Sequence, residues 1–243
     1  MTVALPPQDL ECLDPENCPV ATRTVARKVQ NGSIPRVTVD STRMWFRVYD
    51  AQDGHSQPNP GFGDTRFAPF DAETSGHRVP TMYLAESMIG ALLETSLHDV
   101  HAKTPRIVRE RDLFGKLHAR VKPPRDLELV DLRDPQLATL NLRRSNVSSS
   151  PPEHYPCTRK VARSLHSLGC DGIIWHSRQA ELTNLGPSEA AVVFCDRMDH
   201  TRGSWSLAEL RSSSGSLLEG TGRFTLEKLA NYLGITIVPD DSL

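Results

Sequence analysis

Three polar residues lie in otherwise apolar stretches of the sequence, and their types could carry chemistry. Arg47 lies in MWFRVY, Glu94 lies in IGALLETSL, and Ser177 ends GIIWHS. Burying an ionisable group is costly unless the group is paired or has a function. Arg47 and Glu94 could therefore form a buried ion pair, reach solvent at the edge of an element, or belong to an active site.

Four segments, taken in order, resemble the RES domain, a family named for its Arg, Glu and Ser. These segments are FRV (46–48), TRFAP (65–69), PTMYLAESMIGALLET (80–95) and CDGIIWHSR (170–178). The resemblance covers about residues 44–196. It departs from the family in one place, because many members have a GGRWN-like run where this chain has DTRFA (64–68). The Arg and an aromatic residue remain there, whereas the Asn and one Gly do not.

The resemblance implies an ADP-ribosyltransferase-like α/β (α+β) fold, with mixed or antiparallel strands around a cleft that binds NAD⁺. It also implies cleavage of the nicotinamide–ribose bond, so that NAD⁺ is a consumed substrate and no bound cofactor is expected. Many members are bacterial toxins that an Xre-type antitoxin neutralises. Some members degrade NAD⁺ by hydrolysis or phosphorolysis, and others ADP-ribosylate a protein.

On this basis Glu94, Arg47 and Ser177 are assigned to catalysis. Cleavage of NAD⁺ passes through an oxocarbenium-like ribosyl cation, which the Glu94 carboxylate could stabilise. The two negative charges of the pyrophosphate suit an Arg guanidinium, and Arg47 and Arg66 are the candidates. Ser177 could hydrogen-bond the nicotinamide ribose or hold Glu94 in place, and its alternative is a capping hydroxyl at the end of a strand.

Substrate binding is assigned to Arg66, Tyr83 and Phe67. Tyr83 offers a flat face to the nicotinamide ring and a hydroxyl for a polar contact. An aromatic residue that only fills the core is an equal alternative for Tyr83. Phe67 is the aromatic residue that remains in the altered run.

Other motifs predict neither a metal site nor a different enzyme class. His98 and His101 are three residues apart, but no third ligand is evident, so no metal site is predicted. His176 and Ser177 are strand neighbours whose side chains point to opposite faces, which argues against a Ser-His pair. Neither a GxGxxG after a strand nor a GxxxxGK[ST] occurs, so a Rossmann site or a P-loop does not account for nucleotide binding.

Composition narrows the class of protein further. The net charge of -2 provides no general positive field for nucleic acid or an anionic membrane. No apolar stretch approaches the roughly 18 residues of a membrane-spanning helix, and the N-terminus lacks the pattern of a signal peptide. The five cysteines are scattered and form no CxxC pair, which favours reduced thiols in the cytoplasm.

The chain is interpreted as one domain with an N-terminal extension (1–43), a catalytic domain (44–196) and a C-terminal segment (197–243) packed on the same domain. Strands are predicted at 44–48, 81–85, 117–121, 127–132, 172–177 and 190–196, and helices at about 86–100, 157–168 and 225–233. A long surface loop is predicted at 50–79 and a mobile loop at 145–156. Ser87 is the predicted N-cap of the first helix. Strands and helices do not alternate as in a doubly wound sheet, which favours mixed or antiparallel strands.

Three functions remain open at this point. The first is an NAD⁺ glycohydrolase or phosphorylase that serves as the toxin of a toxin–antitoxin pair. The second is a protein ADP-ribosyltransferase, which needs the same bond-breaking residues and differs only in the acceptor. The third is a catalytically silent module that binds a partner, which the altered run at 64–68 would favour. The expected partners are NAD⁺ and a cognate Xre-type antitoxin, without nucleic acid or membrane, and a homo-oligomer is left open.

Overall fold

A computed structural model of the protein describes residues 31, 33–98, 100, 104–140, 142–150, 152–178, 180 and 188–240. Most of the predicted N-terminal extension, residues 1–30, lies outside the described residues, and so does His101. No helix within the described ranges is long and apolar enough to cross a membrane.

The described residues form strands and helices in a mixed order. The strands are β1 (Arg36–Val39), β2 (Trp45–Asp50), β3 (Thr81–Ala85), β4 (Ile107–Arg109), β5 (Lys116–Lys122), β6 (Leu127–Asp131), β7 (Gly172–His176), β8 (Glu189–Phe194), β9 (Ser206–Leu207), β10 (Ser214–Ser216) and β11 (Thr236–Val238). The helices are α1 (Met88–Glu94), α2 (Gln136–Thr139), α3 (Tyr155–Ser167) and α4 (Gly220–Leu233). Each strand and helix predicted from the sequence is found, with shifted ends.

Nine of the strands form one mixed sheet in the order β1-β6-β7-β8-β3-β2-β5-β10, with β9 also paired to β5. Only β6 and β7 run parallel within it, and all its other neighbours are antiparallel. The prediction of a mixed sheet is therefore confirmed. Strands β4 and β11 form a separate parallel pair. Strand β1 joins this sheet although its residues lie in the extension assigned from the sequence.

The central strands are apolar at consecutive positions because both faces of the sheet are covered. On one face, Ile173 and Trp175 of β7 belong to a cluster that α3 covers. On the other face, Ile174 packs with Trp45 and Trp205. A third cluster joins α1 to α4, so the C-terminal segment contributes β9, β10 and α4 to the same body.

The prediction of a surface loop at 50–79 was wrong in one respect, because several of its apolar residues are buried. Phe67, Phe70 and Val79 are almost completely inaccessible to solvent, and they lie in the cluster under α3. Isolated apolar residues in irregular backbone show no periodicity, so the sequence pattern does not reveal them. The loop predicted at 145–156 is similarly packed, with Val147 and Ser150 buried.

Helix α1 is shorter than the sequence predicted. Ser87 caps its N-terminus as expected, since its Oγ accepts a hydrogen bond of 3.0 Å from the Gly90 N–H. The helix ends at Glu94 instead of near residue 100, because Thr95 leaves the helical region with φ −129° and ψ −93°. Glu94 therefore lies at a helix end, where its side chain can enter a cavity instead of packing in the middle of a helix.

Candidate active site

A cleft of about 500 Å³ lies where β2 and β3 diverge, within the usual size range of small-molecule sites. These two strands share one residue pair, Phe46 with Ala85, whereas β2 pairs with β5 over its whole length. Residues 47–50 of β2 line the cleft, and so do Thr81 and Tyr83 of β3. The site is therefore a gap between neighbouring strands in the middle of the sheet.

The segment that follows β2 closes the open end of this gap. The Asn59 N–H donates to the Thr81 carbonyl at 2.8 Å, and the Thr81 N–H donates to the Asn59 carbonyl at 2.9 Å. This bridge gives β3 the partner that β2 no longer provides there. Because backbone polar groups must be satisfied, the segment 51–68 is tied to the sheet and becomes a wall of the cleft.

Arg47 brings a buried positive charge to the cleft. Its guanidinium Nη1 donates to the His55 carbonyl at 2.6 Å, and its Nη2 donates to the Gln57 carbonyl at 3.0 Å. Burial lowers the pKa of Arg47 to about 10, so the side chain remains protonated at neutral pH. Neutral carbonyl groups do not cancel this charge, and no carboxylate among the described residues forms an ion pair with Arg47. Because no ion pair neutralises it, the guanidinium makes this part of the cleft suitable for an anion.

Glu94 and Ser177 meet, although they are far apart in the sequence. The Ser177 Oγ donates a hydrogen bond to Glu94 Oε1. Ser177 is completely buried, and its backbone N–H donates to the Ser188 carbonyl at 2.7 Å. Glu94 is only partly buried and lines the cleft. Ser177 therefore supports Glu94 from behind, so that the carboxylate faces the cavity in a fixed orientation.

Tyr83 also lines the cleft, but its hydroxyl is already used within the protein. It accepts a hydrogen bond of 3.1 Å from the Phe67 N–H and lies 2.8 Å from Thr65 Oγ1. Because Thr65 Oγ1 donates to the Ala68 carbonyl at 2.8 Å, the Tyr83 hydroxyl must donate to Thr65. Burial raises the pKa of Tyr83 to about 12, so the hydroxyl stays protonated. What Tyr83 offers to a ligand is its ring.

Arg66 does not line the cleft but supports its wall. Its Nη1 lies 2.8 Å from the carbonyl oxygens of Val147 and Ser150. Its Cζ lies 5.1 Å from the centre of the Tyr155 ring. Burial lowers the pKa of Arg66, and the negative charge of Glu94 opposes part of that shift. Arg66 thus lies near enough to Glu94 to interact with it electrostatically while its hydrogen bonds hold the segment before α3.

Phe67 lies in the core and not in the cleft. Its side chain is completely buried, and its ring packs edge-on against Trp175 with the ring centres 4.8 Å apart. Only its backbone N–H contributes to the site, through the hydrogen bond to Tyr83. The structure therefore gives Phe67 no direct route to a ligand.

The polar residues singled out in the sequence do not pair with one another as an Arg47–Glu94 ion pair or a His176–Ser177 pair. Arg47 and Glu94 form no ion pair, since the Arg47 guanidinium binds two carbonyls and the Glu94 carboxylate accepts from Ser177. His176 Nδ1 lies 3.1 Å from the Arg144 guanidinium, which agrees with the expectation that it does not pair with Ser177. In the part of the chain that the structure describes, no group of three His, Cys, Asp or Glu side chains could hold a metal ion.

Several residues of the cleft were not identified from the sequence, notably Tyr49, Phe62 and Lys116. Tyr49 could have been found, because it follows Arg47 by two positions and strand side chains repeat with a period of two. The Arg47 Cζ lies 5.2 Å from the centre of its ring. Lys116 forms an ion pair of 2.9 Å with Asp50, so its charge is neutralised, unlike that of Arg47.

Comparison with known proteins agrees with the fold and with the resemblance. The family model described as RES domain matches residues 43–202. A chain of the crystal structure of the M. tuberculosis MbcT-MbcA toxin-antitoxin complex is similar in fold, with a TM-score of 0.53 and 16% sequence identity over 86% of this chain and 98% of that chain. The predicted ADP-ribosyltransferase-like α/β fold is thereby confirmed. No curated protein is significantly similar to the chain in sequence.

The Tyr83 hydroxyl is expected to contribute to stability. Tyr83→Phe removes the acceptor of the buried Phe67 N–H, and an unsatisfied buried donor costs about 1–3 kcal/mol. Chemical denaturation should show a loss of that size in the free energy of unfolding. Tyr232→Phe is the matched control, because Tyr232 is exposed on α4 and should change stability by less than about 0.5 kcal/mol. Equal stability of the two variants would contradict the assigned network.

Proposed function

This chain belongs to the RES domain family, and we propose that it is an NAD⁺-consuming enzyme that cleaves the nicotinamide–ribose bond. The observation that carries the proposal is the fixed Glu94 carboxylate at the cleft, held by the buried Ser177 hydroxyl. The guanidinium of Arg47, which forms no ion pair, lies in the same cleft. A substrate that carries a negative pyrophosphate and develops a positive charge during reaction is complementary to both groups.

Each residue has a distinct role in this proposal. Heterolysis of the glycosidic bond leaves the bonding electron pair on nicotinamide, which departs as a neutral molecule, and a positive charge on the ribose. The Glu94 carboxylate stabilises that charge or orients the attacking nucleophile. Arg47 binds the pyrophosphate, and the ring of Tyr83 packs against the nicotinamide. Ser177 acts through Glu94 and is a positioning residue.

The acceptor decides which reaction follows, and we propose a small molecule. Attack by water on the ribose gives ADP-ribose and a proton, and attack by inorganic phosphate gives the phosphorylated form of ADP-ribose. Transfer to a protein side chain is the alternative. The test is to incubate the purified protein with NAD⁺, with and without phosphate, and to identify the products by mass spectrometry. Loss of NAD⁺ with free nicotinamide is the expected result, and unchanged NAD⁺ would contradict the proposal.

Glu94→Gln should separate a catalytic role from a structural one. The substitution keeps the shape and an acceptor for the Ser177 hydroxyl, but it removes the charge that stabilises the ribosyl cation. We expect kcat to fall on the order of 100-fold or more, with little change in the melting temperature. Glu73→Gln, at an exposed position outside the cleft, is the control. A Glu94→Gln protein with the wild-type turnover rate would remove Glu94 from the mechanism.

Arg47→Gln should act mainly on substrate binding. Loss of a charged hydrogen bond to phosphate commonly costs about 1.5–3 kcal/mol, so the KM for NAD⁺ should rise at least roughly 10-fold, and kcat should change less. Arg47→Lys keeps the charge and should recover part of the affinity. Arg120→Gln is the control, because Arg120 lies on neighbouring β5 outside the cleft lining. Equal KM values for all four proteins would contradict the assignment of Arg47 to the pyrophosphate.

We also propose that the enzyme is the toxin of a toxin–antitoxin pair and that its partner is a protein antitoxin of the Xre type. An enzyme that drains NAD⁺ needs restraint in its own host, and a partner that covers the cleft would exclude the substrate. Expression of the protein alone should slow bacterial growth and lower cellular NAD⁺, and expression of Glu94→Gln should do neither. Normal growth and normal NAD⁺ with the wild-type protein would contradict the toxin role.

A further inference from the structure

An exposed aromatic ring lines the cleft and has no role in the proposed cleavage of the nicotinamide–ribose bond. Phe62 is 45% exposed and belongs to the lining of the cleft. Of the large exposed hydrophobic residues in the described part of the chain, it is the one that lines this cavity. Tyr49 and Tyr83 line the gap between β2 and β3, so Phe62 is a third aromatic surface, carried by the wall that closes the open end.

The turn that carries Phe62 is held in place by specific contacts. Asn59 Oδ1 accepts hydrogen bonds from the N–H groups of Gly61 and Phe62 at 2.8 and 2.7 Å, and Asn59 Nδ2 donates to the Phe62 carbonyl at 3.1 Å. Asn59 itself is bridged to β3. The backbone of Phe62 is therefore fixed to the sheet on the side of the cleft.

Arg78 is a second residue that holds this turn in place. The Arg78 Nη1 donates to the Gly61 carbonyl at 3.0 Å, and its Nε forms an ion pair of 2.5 Å with Asp71. Gly61 adopts φ +115°, and a Cβ at this position would lie 2.4 Å from the Arg78 Cγ. Only glycine fits this combination of conformation and contact. The ring of Phe62 is thus presented by a preorganised turn, which lowers the entropic cost of binding a flat ligand.

The groups already assigned within the cleft indicate which part of a dinucleotide Phe62 binds. Asp64, two residues after Phe62, lines the cleft but forms an ion pair with Arg159. Asp53 interacts electrostatically with Arg47 but forms no ion pair with it, so the guanidinium still attracts a phosphate. The nicotinamide end belongs with Glu94 and Tyr83, because the bond that breaks must lie beside the carboxylate. A neutral flat group at the other end of the substrate remains to be accommodated.

We propose that Phe62 is the stacking platform for the adenine base of NAD⁺ and makes the site selective for the dinucleotide over the nicotinamide mononucleotide. This inference rests on the proposed function, because it assigns the far end of the same substrate. Stacking of a base on an aromatic ring is favourable for any π-face. The adenine would provide binding energy at a distance from the reacting bond, which can be used to position that bond.

The test measures the two halves of the substrate separately and needs no turnover. Binding of AMP and of nicotinamide mononucleotide is measured by isothermal titration calorimetry on the wild-type, Phe62→Ala, Phe62→Tyr and Phe224→Ala proteins. Phe62→Ala should weaken AMP binding roughly 10-fold to 100-fold and leave nicotinamide mononucleotide binding almost unchanged. Phe62→Tyr keeps the ring and should bind AMP like the wild type. Phe224 is exposed on α4 outside the cleft, so Phe224→Ala should change neither affinity.

Several outcomes would overturn the proposal. The proposal fails if the wild-type protein does not bind AMP or if Phe62→Ala binds AMP like the wild type. It also fails if Phe62→Ala weakens the binding of AMP and of nicotinamide mononucleotide equally. If Phe62 serves only to contact a partner protein, AMP binding will be unchanged in Phe62→Ala. Failure of the proposed function gives a different result, namely AMP binding that depends on Phe62 in a protein that does not consume NAD⁺.

Discussion

The structure of the site depends on the divergence of two neighbouring strands. β2 and β3 are adjacent in the sheet but pair only through Phe46 and Ala85. The backbone groups released by this divergence require other partners. The backbone of Asn59 replaces β2 as the hydrogen-bond partner of Thr81, and this bridge makes the segment after β2 a wall of the cleft. The same segment carries His55 and Gln57, whose carbonyls accept hydrogen bonds from Arg47 and fix a positive charge at the cleft.

Arg47 and Glu94 do not pair with each other in the cleft, and this separation gives the site its chemical character. If Arg47 and Glu94 bound each other, the ion pair would be electrostatically satisfied and would have little affinity for a charged ligand. Instead Arg47 is held by neutral carbonyls, and Glu94 is held by the neutral hydroxyl of Ser177. Neutral hydrogen-bond partners orient a charged group without cancelling its charge, so each charge remains available to a ligand of opposite sign.

The sequence predicted the residues whose polarity conflicts with their surroundings and did not predict those whose role arises from tertiary contacts. Arg47, Glu94 and Ser177 were found because a polar group in an apolar run is costly. The position of Arg66 could not be found in this way, since it depends on carbonyl groups of residues 147 and 150 that are distant in the sequence. Phe62 lies in a stretch rich in Gly and Pro, where the composition predicts a turn but does not show what the turn presents.

The features of the fold also divide into those that local sequence patterns predict and those that depend on tertiary contacts. The apolar runs of β7 and β8 and the N-cap of α1 were predicted because each is set by local pattern. The end of α1 at Glu94 and the burial of Phe67, Phe70 and Val79 were not, because both depend on packing between segments that have no periodic signal. Both features affect the cleft. Because α1 ends at Glu94, this side chain can enter the cavity, and the buried loop residues hold the wall of the cleft in place.

The central claim is that the gap between β2 and β3 is the site where NAD⁺ binds. A crystal structure of the Glu94→Gln protein with NAD⁺ tests this claim most directly, because the variant should retain the substrate intact. We expect the dinucleotide in the gap, with its nicotinamide ribose beside residue 94 and its pyrophosphate beside Arg47. A dinucleotide bound elsewhere on the protein, or an empty gap at a saturating concentration of NAD⁺, would contradict the account.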